Sequence, residues 1–147
     1  MKKLGISEFE LSSFLPFELY QASEVLSQSF AKIYRDRYDI TRDEWRVFAH
    51  LGQGDILNFT EISEASKLNK TTVSRAVFKL EKRNWISRSF DSRDRRIQYL
   101  SLTDLGTKVY KELSDAALIF NQHLIDRLGE GDYRTAVSAL QKLQNLD

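Results

Sequence analysis

The 147 residues suffice for one domain with a core of its own but leave little room for two. Hydrophobic residues at 41%, charged residues at 29% and a net charge of +1 exclude a disordered polyelectrolyte. The absence of cysteine excludes disulfides, thiolate metal sites and thiol redox chemistry. No run reaches the roughly 20 apolar residues of a membrane-spanning helix, so a cytoplasmic protein with no membrane partner is expected.

Pro16 is the only proline, which permits long helices after it. From Phe17 to about Arg37, the positions Leu19, Ala22, Leu26, Phe30, Ile33 and Tyr34 recur at three- and four-residue spacing, predicting a long amphipathic helix. Thr41 with Glu44 forms a capping box, and Ile40 with Trp45 a hydrophobic staple, at the start of a helix that runs to Gly52-Gln53-Gly54-Asp55. Thr60 is expected to open a short helix containing Ile62, Ala65 and Leu68. Asn69 then caps another, whose stripe Val73, Ala76, Val77 and Leu80 should be buried. Lys70, Thr71, Ser74, Arg75, Phe78 and Lys79 must then face outwards. Asn84, which tolerates the left-handed conformation, sits where that helix should stop.

Next the period shifts to two. Trp85 to Phe90 and Ile97 to Leu102 read as strands around the polar turn Asp91-Ser92-Arg93-Asp94-Arg95-Arg96, an antiparallel hairpin with a cationic tip. From Thr103, Leu105, Val109, Leu113, Ala116, Phe120 and Leu124 trace a helix of about six turns. After Gly129-Glu130-Gly131, a last helix presents Tyr133, Ala136, Val137, Leu140 and Leu143.

The charge is segregated along this framework. Between Lys67 and Arg96 stand ten basic residues and three acids, a net +7, so the rest of the chain carries −6. A solvated face without a partner would intersperse acids; a concentrated positive region is the footprint of a polyanion. Two tightly joined helices, the second basic outside, followed by a cationic hairpin, read as a winged helix-turn-helix, and a helix fits the major groove of duplex DNA. Arg75 is the choice for base readout, with Thr71, Thr72 and Ser74 near thymine methyls or phosphates. Lys70 and Lys79 would hold the backbone. In the hairpin turn, Asp94 stands two residues from Arg96 and can brace it for the minor groove, with Arg93 and Arg95 flanking on phosphates. Trp85 reads as core.

The runs Leu80-Glu81-Lys82-Arg83-Asn84-Trp85-Ile86-Ser87-Arg88, Asp91-Ser92-Arg93-Asp94-Arg95-Arg96 and Leu102-Thr103-Asp104-Leu105-Gly106 resemble the signature of the MarR family, and the resemblance extends from about Pro16 to Asp147. It implies a single domain over residues 1–147, mainly α with a small β-hairpin. The winged helix-turn-helix would occupy about 41–103, with dimerisation helices at about 14–37 and 104–147. It also implies a homodimer on a pseudo-palindromic operator, Arg96 in the minor groove, and a repressor released by a small anionic or aromatic effector. Asn84 departs from the glycine usual at its turn. Tyr20, Trp45, Arg46 and His50 are the expected pocket residues, although packing more readily accounts for Trp45 and an ordinary hydrogen bond for His50. Apolar stripes on the terminal helices independently favour a dimer.

Catalysis and cofactors are not expected. No phosphate loop or nucleophile elbow is present, and the two histidines, His50 and His123, stand on separate predicted helices. Asp126, three residues from His123, makes only a helical pair, so no metal is expected. The alternatives within the same fold are an architectural DNA-binding module and a protein-interaction module.

Overall fold

The computed structural model of the chain describes residues 8–146; Met1 to Ser7 and Asp147, the ends of the expected 1–147 domain, lie outside the described residues. Two compact units result, Met1–Arg42 and Asp43–Asp147. The first holds a 3-10 turn at Leu11–Ser13 and the helix α1 (Leu15–Tyr38). Pro16 stands in the first turn of α1, where its missing N–H has no helical partner to lose. Asp39 closes the helix in the left-handed conformation, its N–H donating to the Arg35 carbonyl at 2.9 Å. Arg42 returns to pair with Glu24 at 2.8 Å. Ala31 and Tyr34 are buried, whereas Tyr20, Val25 and Leu26 are exposed.

In the second unit follow α2 (Arg42–Gly52, its first residue still in the first unit), β1 (Leu57–Asn58), α3 (Phe59–Ser66) and α4 (Lys70–Lys82). Beyond them come β2 (Ile86–Phe90), β3 (Gln98–Leu102), α5 (Asp104–Leu128) and α6 (Glu130–Leu143). The strands form one antiparallel sheet in the order β1-β3-β2, with Arg88 opposite Leu100 and Leu57 opposite the same Leu100 on its other edge. The core is built from Val47, Phe48 and Leu51 of α2, Ile62 of α3, the predicted stripe of α4, Leu100 of β3, and Val109, Leu113 and Ala116 of α5. Phe48 lies at its centre, stacked at a tilt on Trp85 (5.2 Å between centroids) and edge-on to Tyr110 (5.8 Å).

Four expectations are corrected. The short helix starts at Phe59, not Thr60, because Asn58 caps it: its side chain accepts from the Glu61 N–H and Glu61 returns to the Asn58 N–H, both at 2.8 Å. With Asn58 and Leu57 paired to β3, the hairpin becomes a three-stranded sheet. Ala65 is exposed and Ser66 is buried instead, since Ser66 faces the turn into α4, where its Oγ accepts from the Leu68 N–H. Leu105 is likewise exposed, because the neighbouring Gly106 takes the inward position.

The junction at Gly106 explains why. Helix α4 ends in a Schellman motif: the Trp85 N–H donates to the Leu80 carbonyl and the Asn84 N–H to the Glu81 carbonyl. Asn84 takes the left-handed conformation this requires, with φ of 61°. The Trp85 carbonyl then receives the Thr103 N–H at 2.9 Å. Thr103 donates its hydroxyl to the Asn84 carbonyl (2.6 Å) and caps α5 by accepting from the Gly106 N–H (2.9 Å). A Cβ on Gly106 would lie 1.9 Å from the Trp85 carbonyl oxygen, a backbone atom that no rotamer change can move. Gly106→Ala is therefore expected to cost about 3 kcal/mol or more, read as a lower denaturant midpoint. Asn84→Ala should cost about 1 kcal/mol for its left-handed backbone, while Asn84→Gly should leave the midpoint close to that of the parent.

Candidate nucleic-acid interface

Helices α3 and α4 are joined by a turn tied from three sides. Lys67 closes α3 in the left-handed conformation. The Ser63 hydroxyl donates to the Leu68 carbonyl at 2.6 Å, and Arg46 on α2 donates through Nη2 to the Ser66 carbonyl. Asn69 then caps α4, accepting from the Thr72 N–H at 2.8 Å, as the sequence predicts. Because Val73, Ala76, Val77 and Leu80 are all buried, the opposite face of α4 is turned outwards. Lys70, Thr71, Ser74, Arg75 and Lys79 are exposed on it and Thr72 is half-buried at its edge. The dipole of α4 and its first N–H groups add positive potential at the Lys70 end.

The turn between β2 and β3 has a defined shape. Asp91 organises it: Oδ1 accepts from the N–H groups of Arg93 (2.8 Å) and Asp94 (2.9 Å), and Oδ2 accepts from the Tyr99 hydroxyl (3.2 Å). These bonds favour the charged carboxylate and hold Asp91 below its ordinary pKa. The Asp91 N–H donates to the Ile97 carbonyl and the Ile97 N–H to the Asp94 carbonyl, both at 3.0 Å. Ile97 therefore belongs to the turn rather than to the strand. At its tip Arg96 donates to Asp94 through both Nε and Nη2, each at 3.0 Å, and through its backbone N–H. The Arg96 side chain nevertheless stays 90% exposed. Pairing with Asp94 fixes the plane of the guanidinium while its outer N–H groups remain directed to solvent. The same pairing lowers the Asp94 pKa and raises that of Arg96. The Arg95 guanidinium lies over the Phe90 ring at 5.7 Å.

Two residues outside the predicted site hold it in place. Arg88 on β2 bonds both Glu81 of α4 and Gln98 of β3, and its guanidinium covers the Phe59 ring of α3 at 5.2 Å. It thus links the outward helix to the hairpin. Asp91 shapes the tip; its sequence signal is an Asp able to bond the N–H two residues on, the signature of an Asx turn.

The expected pocket residues fall differently. Trp45, Arg46 and His50 lie on α2 and are half-buried; Tyr20, on α1 in the other unit, is 63% exposed. Arg46 is engaged with the Ser66 carbonyl. The His50 pKa is lowered, first by burial and then by the positive charge of Arg46. Among the described residues no group of three or more His, Asp or Glu side chains could hold a metal ion, and no helix is long and apolar enough to cross a membrane.

A groove-sized helix carrying Arg75 outwards, reached through a tight turn and followed by an arginine-tipped hairpin, defines a winged helix-turn-helix protein. The family model of the MarR family matches residues 40–98. A curated relative, the HTH-type transcriptional regulator FarR of Neisseria gonorrhoeae, is 30% identical over 97 residues, 66% of this chain and 66% of that protein. Among solved structures, a MarR/EmrR family transcriptional regulator from Acinetobacter sp. ADP1 is similar with a TM-score of 0.83 and 26% identity, covering 93% of this chain and 96% of that one. BpsR of Bordetella bronchiseptica, whose DNA binding is regulated by 6-hydroxynicotinic acid, shares the fold with a TM-score of 0.84 at 20% identity, covering 96% of this chain and all of that one (100%). The chain belongs to the MarR family of DNA-binding transcriptional regulators.

Two outcomes test the site. Asp94→Ala should leave the fold intact, yet weaken duplex binding severalfold by unbracing Arg96. Arg96→Ala should weaken it further and reduce the salt dependence by about one phosphate contact, both measured by fluorescence anisotropy at two salt concentrations. Burial of neutral His50 lowers its folded pKa below the unfolded value near 6.5, so its contribution to stability is fully present above that value. It should be lost as pH falls below 6.5 towards the folded pKa. Thermal melts of His50→Gln should show a shallower decline across that window.

Proposed function

We propose that the chain acts in the cytoplasm as a homodimeric, sequence-specific repressor of transcription that a small anionic or aromatic effector releases from DNA, and that it is not an enzyme. In this reading Arg75 reads base edges with help from Thr71, Thr72 and Ser74, and Lys70 and Lys79 hold phosphates. The Asp94-braced Arg96 enters the minor groove between Arg93 and Arg95. The observation that carries it is the joint exposure of Arg75 and Arg96 on two elements tied together by Arg88. Residues of about 41–103 would form the reading head, and those of about 14–37 and 104–147 the dimer. Support for a dimer comes from large apolar side chains left exposed on the terminal helices: Leu118 (69%), Ile119 (61%), Leu128 and Leu140 in one unit, Leu15, Val25 and Leu26 in the other. An effector is supported by the regulation of DNA binding in BpsR, a neighbour in fold, by 6-hydroxynicotinic acid.

Selection from a random duplex pool at two salt concentrations should recover a pseudo-palindrome with half-sites about 10 bp apart. The selected site should retain binding at salt that abolishes non-specific binding. Enrichment of no sequence would instead mark an architectural module, and no binding at all an interaction module. Sedimentation should give a dimer. Titrating 6-hydroxynicotinic acid and related aromatic carboxylates into the complex should release DNA; indifference to the whole series would remove the effector from this reading.

A further inference from the structure

Opposite the buried stripe of α4, Thr71, Arg75, Phe78 and Lys82 follow one another at spacings of four, three and four, with Ser74 beside Arg75 three residues after Thr71, so they share one face. Four of them are polar or cationic. Phe78 is the exception: it sits in the middle of that face and is 55% exposed, with the Lys82 ammonium 4.9 Å from its ring centroid. The core does not call for an aromatic there, because the inward face is already closed by Val73, Ala76, Val77 and Leu80. On a face shaped for the major groove, every feature offered by the bases is a hydrogen-bond donor or acceptor except one, the C5 methyl group of thymine.

We propose that Phe78 is a specificity-determining residue whose ring packs on a thymine methyl in the major groove, beside the base met by Arg75. The proposal rests on α4 being the reading helix. Phe78 lies one turn beyond Arg75, about 4.5 Å along the helix axis, against a base-pair rise of about 3.4 Å; the thymine therefore lies within about two base pairs of the Arg75 contact. Lys82, folded over the ring, limits its motion and brings a cation towards the neighbouring phosphates. Burial of a methyl group is sequence information that hydrogen-bonding residues alone do not supply, and it comes without the desolvation of a charge.

The test uses the full chain and the duplex it selects. Each thymine is replaced singly by deoxyuridine, which keeps every hydrogen-bonding edge and lacks only the methyl. Wild type should lose about fourfold in affinity at one thymine per half-site, the effect of one methyl-sized group left unburied, and that position should lie within two base pairs of the preference lost in Arg75→Ala. Phe78→Ala should show no deoxyuridine effect there, and Phe78→Leu an intermediate one, with both variants melting like wild type because the side chain is exposed. If every deoxyuridine duplex weakens wild type and Phe78→Ala equally while Arg75→Ala still relaxes the selected sequence, the assignment of Phe78 is overturned and the reading helix stands. If wild type selects no sequence at all, the reading helix falls, and Phe78 with it.

Discussion

The carbonyl of Trp85 accepts the N–H of Thr103 and lies so near Gly106 that no Cβ fits between them, and the end of α4, the return of β3 and the start of α5 are fixed together at that junction. The Schellman turn at Asn84 stops α4 and swings Trp85 inwards onto Phe48. Thr103 fastens the end of β3 to the end of α4 and in the same stroke starts α5. The hairpin must therefore leave and return at one fixed place beside the outward helix. Short segments acquire a defined geometry here because the junction pairs the Trp85 and Asn84 carbonyls and the Thr103 and Gly106 N–H groups within the protein, and leaving them unpaired would be costly.

Charge is distributed with the same economy. The ten cations between Lys67 and Arg96 are not equivalent once folded. Arg88 is spent inside the unit on Glu81, Gln98 and Phe59, Arg83 lies over Trp85, and Arg95 over Phe90. Lys70, Arg75 and Lys79 face outwards from α4, and Arg96 does so from the hairpin under the restraint of Asp94. The acids of this stretch serve the cations: Glu81 holds Arg88, Asp94 holds Arg96, and Asp91 builds the turn that presents them. Three acids within a +7 segment thus orient its positive charge more than they dilute it.

Much of this is legible in residue spacing, and what is not has a common physical cause. The stripe of α4, its Asn69 cap, the left-handed Asn84 and the Asp94–Arg96 pair all depend on neighbours three or four positions away or nearer, where local pattern and final structure coincide. What escaped depends on distant partners. The strand Leu57–Asn58 is two residues long and exists because β3 offers it an edge, so no alternation could announce it. Asn58 and Thr60 are both competent caps by residue type, and Glu61, three residues after Asn58, completes the capping box that selects Asn58. Leu105 looks like the first rung of the α5 stripe, yet the closeness of Trp85 admits only glycine inwards at that level. The link from Arg88 to Glu81 crosses from strand to helix, and Arg46 reaches a carbonyl twenty residues away; a charge count treats both as free surface.

The bond from Arg46 to Ser66 bears on how such a molecule would respond to a ligand. Helix α2 holds both Arg46 and His50, one turn apart, and the Arg46 guanidinium ends on the last carbonyl of α3, at the turn that sets the angle of α4. In the proposed regulator, an anionic ligand beside α2 would compete with that carbonyl for the same guanidinium, since a carboxylate is the stronger acceptor. Releasing Ser66 would free one of the ties on the turn while leaving those of Ser63 and Lys67 in place. In that reading α4 would shift relative to α2 without unfolding, and two copies of α4 matched to half-sites of fixed spacing would tolerate little such shift. On this view Arg46 need not be a pocket residue first and a structural one second: its structural bond would be the element that a ligand acts upon.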